Sequence, residues 1–337
     1  MNAFGNVFRV SLFGESHGIC VGVVIDGCPE GIKIDEYFFF HDLSRRKFGT
    51  IGTSKKSDVS NLKSLTGTTT RNETDIPEIV SGIYNGFTTG APITLLFRNQ
   101  DINPSDYSKI NTHPRPGHSD FVALKKYRGF ADLRGGGHFS GRLTVALTAA
   151  GIIAKEIIKP IQISATLIEA GGSADIETKI NETILQKDSI GGLITCHIKG
   201  LSIGIGAPFF DGLESLISHA VFAIPGIKAI AFGSGFEAAT MQGSEHNDMI
   251  MNETGATKTN YSGGINGGIS NGNEVYFRVA VKPTPSIGLQ QQTFNFDSMT
   301  MDALSITGRH DVCFALRLPP VIEAATAIVL ADLWLQK

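Results

Sequence analysis

Residues 134–159 read RGGGHFSGRLTVALTAAGIIAKEIIK, a glycine-rich turn followed directly by an apolar segment. The segment from Arg142 to Lys159 is apolar nearly all round and rich in alanine, which predicts a helix packed inside the protein on several sides. The glycines expose backbone N–H groups at the N-terminus of this helix, where its dipole favours anions, and Arg134 and Arg142 add positive charge. The spacing fits neither a Walker A loop nor a dinucleotide-binding fingerprint, so the turn predicts an anion site without identifying the anion.

Further strands and helices are predicted on both sides of this helix. Apolar runs predict strands at 8–13, 19–25, 79–85, 91–98, 161–169, 192–199 and 275–282. Asp35 can cap a helix that runs to Arg46, residues 213–223 look helical, and Pro319-Pro320 opens a final helix through Leu335. Residues 18–35 and 189–206 share an order of glycine, strand, polar turn and glycine, each with a helix after it. This echo suggests an internal duplication, and the lack of a linker predicts one domain over 1–337.

Composition narrows the class of protein. The chain has 337 residues, is 42% hydrophobic and carries a formal net charge of -3, so no overall basic field points to nucleic acid or an anionic membrane. The four cysteines form no C-x-x-C pair or zinc spacing, so we expect no metal site. We see no signal peptide, and Glu323 and Asp332 interrupt the longest apolar run. A reduced, cytoplasmic protein is the expectation.

Four further motifs carry titratable or anion-binding groups. GESHG at 14–18 places His17 between two predicted strands, as a proton donor or acceptor or as a turn histidine bonded to a backbone carbonyl. THPRPGHSD at 112–120 holds an arginine and a histidine on a proline-stiffened loop, which a solvated loop would also explain. GGINGGISNG at 263–272, with KPTPSI at 282–287, suits either a flat cofactor or a hairpin. TGRHD at 307–311 fits a site or a surface ion pair.

Taken in order, these motifs resemble one family. GESHG, DLSRRK, RPGHSD, RGGG-x-x-S-x-R, GGINGGISNG, KPTPSI and GRHD are similar to the ordered motif set of chorismate synthases, from about Phe8 to Leu333. The resemblance implies an α+β fold in which helices are sandwiched between two antiparallel β-sheets. It also implies a 1,4-anti elimination of phosphate from 5-enolpyruvylshikimate-3-phosphate, giving chorismate. Reduced FMN is required although there is no net redox change, and the family assembles as a homotetramer.

The resemblance also implies roles for individual residues. His17 would protonate the departing phosphate, His118 would protonate reduced flavin near N1, and Asp311 would relay the C6 proton through flavin N5. The implied substrate-binding residues are Ser16, Arg46, Arg115, Arg142 and Arg309. The implied flavin-binding residues are His138, Phe139, Ser140, Pro225, Gly226, Gly267, Lys282, Pro283, Thr284, Pro285, Ser286 and Arg309.

The chain departs from the family pattern in two places. His138 and Phe139 stand where the family has an arginine and a serine, and histidine is shorter and only partly charged at neutral pH. Gly52 aligns with a further family arginine, which Lys55 or Lys56 in the polar, loop-like stretch 49–75 could replace. A catalytically weakened homologue that binds flavin or an anion is therefore an alternative function, and a generic nucleotide-binding protein is a third. The sequence leaves open whether NADPH supplies the reduced flavin.

Overall fold

The structure is a computed structural model that describes residues 2–50, 65–69, 71–102, 110–306 and 310–337. Gly52, Lys55, Lys56 and Arg309 therefore lie outside the described residues. The helices of the described part are α1 Glu36–Phe48, α2 Asp120–Lys126, α3 Thr144–Ile157, α4 Ile176–Leu185, α5 Leu213–Phe222, α6 Gly243–His246 and α7 Pro319–Leu335.

The predicted helices are confirmed, with small shifts at their ends. The Asp35 carboxylate accepts a hydrogen bond from the Tyr37 N–H at 3.0 Å and so caps α1. The final helix runs from Pro319 to Leu335 as predicted. The central helix begins later than expected, because residues 141–143 form a 3-10 turn before α3. Helices α2, α4 and α6 had no clear signal in the sequence.

Two antiparallel sheets contain most of the strands. One has the order β1-β2-β3-β7-β4 and the other the order β10-β13-β9-β8. The remaining strands form three hairpins, β5-β6, β11-β12 and β14-β15. The strands are β1 Ala3–Phe4, β2 Arg9–Gly14, β3 Cys20–Asp26, β4 Glu78–Ser81, β5 Ile83–Tyr84, β6 Phe87–Thr88, β7 Ile93–Arg98, β8 Gln162–Ala170, β9 Gly192–Lys199, β10 Ile227–Phe232, β11 Ile265–Asn266, β12 Ile269–Ser270, β13 Val275–Val281, β14 Gln291–Asn295 and β15 Thr300–Leu304.

The strand predictions are confirmed except at residues 79–85. That segment was predicted as one strand, but it breaks at Gly82, whose φ of 81° separates β4 from β5. The two segments that suggested a duplication each form a strand, β3 and β9, inside one of the two sheets. The duplication itself and the single domain stay predictions.

Helices fill the space between the two sheets. Helix α3 packs on β3 and β7, α7 packs on β8 and β9, and α3 and α7 pack against each other. The helices pack tightly at Gly151 of α3, where an added Cβ would lie 2.2 Å from the Cβ of Ala324 in α7. All residues of α7 from Pro319 to Asp332 are buried. The structure is therefore the predicted α+β sandwich, with its core along the α3–α7 contact.

The two acidic residues of α7 have buried partners. Glu323 accepts hydrogen bonds from Arg45 of α1 at 2.8 and 2.9 Å, from Lys155 of α3 at 2.8 Å and from the Ala165 N–H of β8 at 2.9 Å. Asp332 accepts from three successive N–H groups, those of residues 6–8, at 2.7–3.0 Å. These carboxylates tie α7 to its neighbours and to the N-terminal segment. Among the described residues, no helix is long and apolar enough to cross a membrane.

The contact between α3 and α7 yields a stability prediction. Gly151→Ala places a methyl group 2.2 Å from another methyl carbon, so the helices must separate, and we expect a loss of about 1–3 kcal/mol of unfolding free energy. Gly243→Ala is the matched control, since its added Cβ would meet nothing within 4 Å. Urea unfolding measures both variants. Equal midpoints for the two would contradict this packing.

Candidate active site

One cavity of about 750 Å³ opens where loops from both sheets meet the ends of the central helices. It collects residues that are far apart in the chain, from Ser16 to Asp311. The predicted site residues that line it are Ser16, His17, Arg46, His118, His138, Phe139, Ser140, Arg142, Pro225, Gly226, Lys282, Pro283, Thr284, Pro285, Ser286 and Asp311.

The glycine-rich turn before α3 makes room for His17. Residues 135–137 all have positive φ values, of 60°, 83° and 53°, which favour glycine. A Cβ at Gly135 would lie 2.1 Å from Nδ1 of His17 and 2.8 Å from Oγ of Ser16. The Gly137 carbonyl accepts the Ser16 N–H at 3.0 Å. Close approach to the His17 loop is thus one physical reason for these glycines, alongside the anion site predicted from the sequence.

His17 itself is buried, with 6% of its surface exposed. Burial lowers the pKa of its imidazole below the ordinary 6.5, and the charges of Arg71 and Arg134 lower the pKa further. These effects favour the neutral form of His17 at neutral pH. An anion bound nearby would favour the imidazolium form, which can donate a proton.

Two buried arginines of the cavity share one carboxylate. Arg46 of α1 donates to Asp75 at 3.0 Å, and Arg142 donates to the other oxygen of the same carboxylate. Burial raises the pKa of Asp75, but the two guanidinium groups outweigh burial and hold the pKa below its usual value. Burial lowers the pKa of Arg46 to about 10, which leaves it charged at neutral pH. Two cations and one anion leave one positive charge facing the cavity.

Further cations at the cavity were missed in the sequence. Arg71 donates to Oγ of Ser16 at 2.8 Å and to the Ser16 carbonyl at 2.9 Å, and it pairs with Glu73 at 2.7 Å. Arg317 pairs with Asp311 at 2.8 Å just before α7 begins. Both arginines lie in segments without periodicity, so only the fold brings them to the site. The sequence did carry a signal for Arg317, because it is a single charged residue just before the strongly apolar helix α7.

The segment 282–286 and the pair Pro225-Gly226 form one wall of the cavity. The Lys282 N–H donates to the Gly226 carbonyl at 2.9 Å, and Nζ of Lys282 donates to the Gly117 carbonyl at 2.6 Å. The Thr284 hydroxyl is buried and has no hydrogen-bond partner within the described residues. Apolar side chains complete the cavity lining, among them Phe4, Leu12, Leu147, Phe314 and Ile328. An apolar surface with an unused hydroxyl fits a flat, polar-edged ring system.

Two predicted residues with described positions do not line this cavity. Gly267 lies in the turn of the β11–β12 hairpin. Arg115 is buried behind His118, where it pairs with Asp120 at 2.7 Å. His138 lines the cavity, but its Nδ1 lies 2.8 Å from the Gly14 carbonyl oxygen, so it donates there instead of contacting an anion through that nitrogen. The roles assigned to all three stay predictions.

The electrostatics of His17 give a testable pH dependence. Removing the positive charge in Arg71→Gln should raise the pKa of His17, because the Arg71 charge lowers it. Arg71→Lys keeps the charge and should leave the pKa low. NMR titration of the histidine ring in the ligand-free protein measures both. A pKa equally low in both variants would show that Arg71 does not set the charge state of His17.

Comparisons with known proteins identify the family. The sequence model of the chorismate synthase family matches residues 8–335. A chorismate synthase of Chitinophaga pinensis is 53% identical over 336 residues, covering 99% of this chain and 97% of the relative. One from Dehalococcoides mccartyi is 42% identical, with 99% and 97% covered. A chorismate synthase crystal structure at 24% identity has a TM-score of 0.73 and covers 99% of this chain and 93% of its own, which shows the shared fold. The chain belongs to the chorismate synthase family.

Proposed function

We propose that the cavity around His17 is where this chain eliminates phosphate from 5-enolpyruvylshikimate-3-phosphate, with reduced FMN as its flavin. The reaction and the need for a flavin follow from the family. The single observation that carries the location is convergence: all the predicted site residues except Arg115, Gly267 and Arg309 line one cavity. The lining of that cavity combines apolar side chains with several arginines.

The cationic part suits the substrate. 5-Enolpyruvylshikimate-3-phosphate carries one phosphate and two carboxylates, which need several positive groups in a protein whose net charge is -3. Arg46 and Arg142 keep one charge beyond their shared carboxylate, and Arg71 and Arg317 line the same cavity. Each of these arginines has an internal carboxylate partner when no ligand is bound. Substrate binding would redirect some of their donors to the ligand.

The apolar part suits the flavin. Residues 282–286 with Pro225-Gly226 would hold it, and Thr284 would offer its free hydroxyl to a polar edge. Reduced FMN, when bound, supplies the electron density that helps the C3–O bond to break. Enclosing the reacting groups in the cavity would strengthen the charge interactions there.

His17 is the acid for the departing phosphate in this proposal. The C3–O bond breaks with its electrons moving to the phosphate oxygen, a C6 hydrogen is lost, and the ring gains a double bond. Because burial and nearby arginines lower the pKa of His17, the substrate phosphate would have to raise it before His17 could donate a proton. Asp311 would receive the C6 proton, held in place by Arg317 at 2.8 Å and by the Thr69 N–H at 2.8 Å. A homotetramer and a cytoplasmic location complete the proposal, from family resemblance alone.

His17→Ala tests the assigned acid. Turnover should fall by about 100- to 10,000-fold while the Michaelis constant changes little, because proton transfer matters in the transition state. His197→Ala is the control, since His197 pairs with Glu274 outside the cavity. Anaerobic kinetics with reduced FMN measures both. Near wild-type turnover in His17→Ala would refute the role of His17.

A further inference from the structure

Behind His118, Asp120 forms a second layer of the site. Asp120 is the first residue of α2 and is 1% exposed. Its Oδ1 lies 2.6 Å from Nδ1 of His118, a short contact between buried groups. The same carboxylate accepts three hydrogen bonds from Arg115: from its backbone N–H at 3.1 Å, from Nε at 2.7 Å and from Nη2 at 2.8 Å. One carboxylate thus binds both named residues of the RPGHSD loop.

The contacts decide which ring nitrogen of His118 carries a proton. Burial raises the pKa of Asp120, but the hydrogen bonds from Arg115 and His118 outweigh burial and hold the pKa well below its usual value. Asp120 is therefore a carboxylate that only accepts, and Nδ1 of His118 must donate to it. Nη2 of Arg115, which carries two protons, also lies 3.1 Å from Nδ1. A bare Nδ1 would however set its lone pair against the Asp120 oxygen at 2.6 Å, so the shorter contact decides the tautomer. Neutral His118 is then protonated on Nδ1, and its Nε2 is left as the reactive nitrogen.

The other edge of the His118 ring faces the glycine-rich turn at the cavity. A Cβ at Gly136 would lie 3.5 Å from Cε1 and 3.5 Å from Nε2 of His118. Gly136 has a φ of 83°, a value that favours glycine. The ring is thus held between a carboxylate on one side and a glycine on the cavity side.

We propose that Asp120 is a positioning residue for His118. Arg115 then holds this pair and Ser286 in place and does not bind substrate. The proposal rests on the proposed function for the role of His118 as a proton donor to the flavin. Nη1 of Arg115 donates to Oγ of Ser286 at 3.0 Å. Asp120 therefore connects His118, through Arg115, to the wall at 282–286.

The charges around His118 explain why the carboxylate is needed. Burial lowers the pKa of His118, and the positive charges of Arg115 and Lys282 lower it further. Asp120 opposes these effects through its hydrogen bond and its charge. A proton donor must hold its proton near neutral pH, so Asp120 keeps the imidazolium form within reach. Without Asp120, the buried His118 would lie near the positive charges of Arg115 and Lys282 with no carboxylate from Asp120 to offset them.

The first test needs no variant. Long-range 15N NMR of the histidine-labelled, ligand-free protein reports the tautomer of each ring, and His118→Ala assigns the signal. We expect His118 to be protonated on Nδ1 with Nε2 bare. Protonation on Nε2 in the neutral form would overturn the proposal. This reading requires neither flavin nor turnover, so it stands apart from the proposed function.

The second test removes the charge. Asp120→Asn should lower the pKa of His118 and reduce kcat by about 10- to 100-fold, with the alkaline limb of the pH–rate profile moved to lower pH, because a proton donor loses activity as the pH rises through its pKa. Asp302→Asn is the matched control, because it removes a carboxylate 3.1 Å from His113 in the same loop and should leave His118 and kcat unchanged. An unchanged pKa of His118 in Asp120→Asn would refute the proposal. Should that variant not fold, Arg115→Met removes the charge that would be left unpaired. Asp120→Asn on the Arg115→Met background is then compared with Arg115→Met alone, and the pKa of His118 should still fall.

His118→Ala separates this inference from the function beneath it. Wild-type turnover in His118→Ala would refute the catalytic role of His118 while the tautomer result still tested Asp120. A large loss of turnover in His118→Ala, together with a His118 ring that carries no proton on Nδ1 in the native protein, would support the catalytic role of His118. It would refute the positioning role of Asp120. Each failure therefore points to one of the two claims.

Discussion

The rest of the structure depends on the close packing of α3 on α7 and on the buried carboxylate of Glu323 beside it. Gly151 lets the two helices approach, and Glu323 fixes Arg45 at the end of α1. The next residue, Arg46, then faces the other way and reaches Asp75 in the cavity. Two adjacent arginines therefore serve two purposes, one holding the core and one holding the anion site. The position of the site is a consequence of how the core packs.

The arginines of the cavity are paired with carboxylates. Burying a charge without a partner costs several kcal/mol, and a paired charge costs far less. Arg71, Arg317 and the Arg46–Arg142 pair each have a carboxylate partner, so the site is stable without a ligand. Sharing Asp75 between two arginines leaves an excess charge where the substrate phosphate or a carboxylate would bind. A mildly acidic protein can in this way bind a substrate that carries a phosphate and two carboxylates.

Much of the fold could be predicted from local patterns. Proline at the start of α7, the Asp35 cap and the alternation in β13 each have a physical cause within a few residues. The order of strands in the sheets has no cause within a few residues. The same holds for the contact between Asp75 and Arg142, which are 67 residues apart in the sequence. The glycines of 134–141 were predicted as an anion cradle, and close approach to His17 was not foreseen. Family resemblance supplied the site residues, but it could not show that Arg115 lies behind His118.

The central claim is that this cavity performs the elimination, and one anaerobic assay tests it most directly. The purified protein is mixed with 5-enolpyruvylshikimate-3-phosphate and chemically reduced FMN, and chorismate, phosphate and flavin oxidation state are followed together. The account predicts equal amounts of chorismate and phosphate over many turnovers, with the flavin still reduced at the end. Flavin or substrate binding without chorismate would contradict it and favour a homologue that has kept the site but lost the reaction.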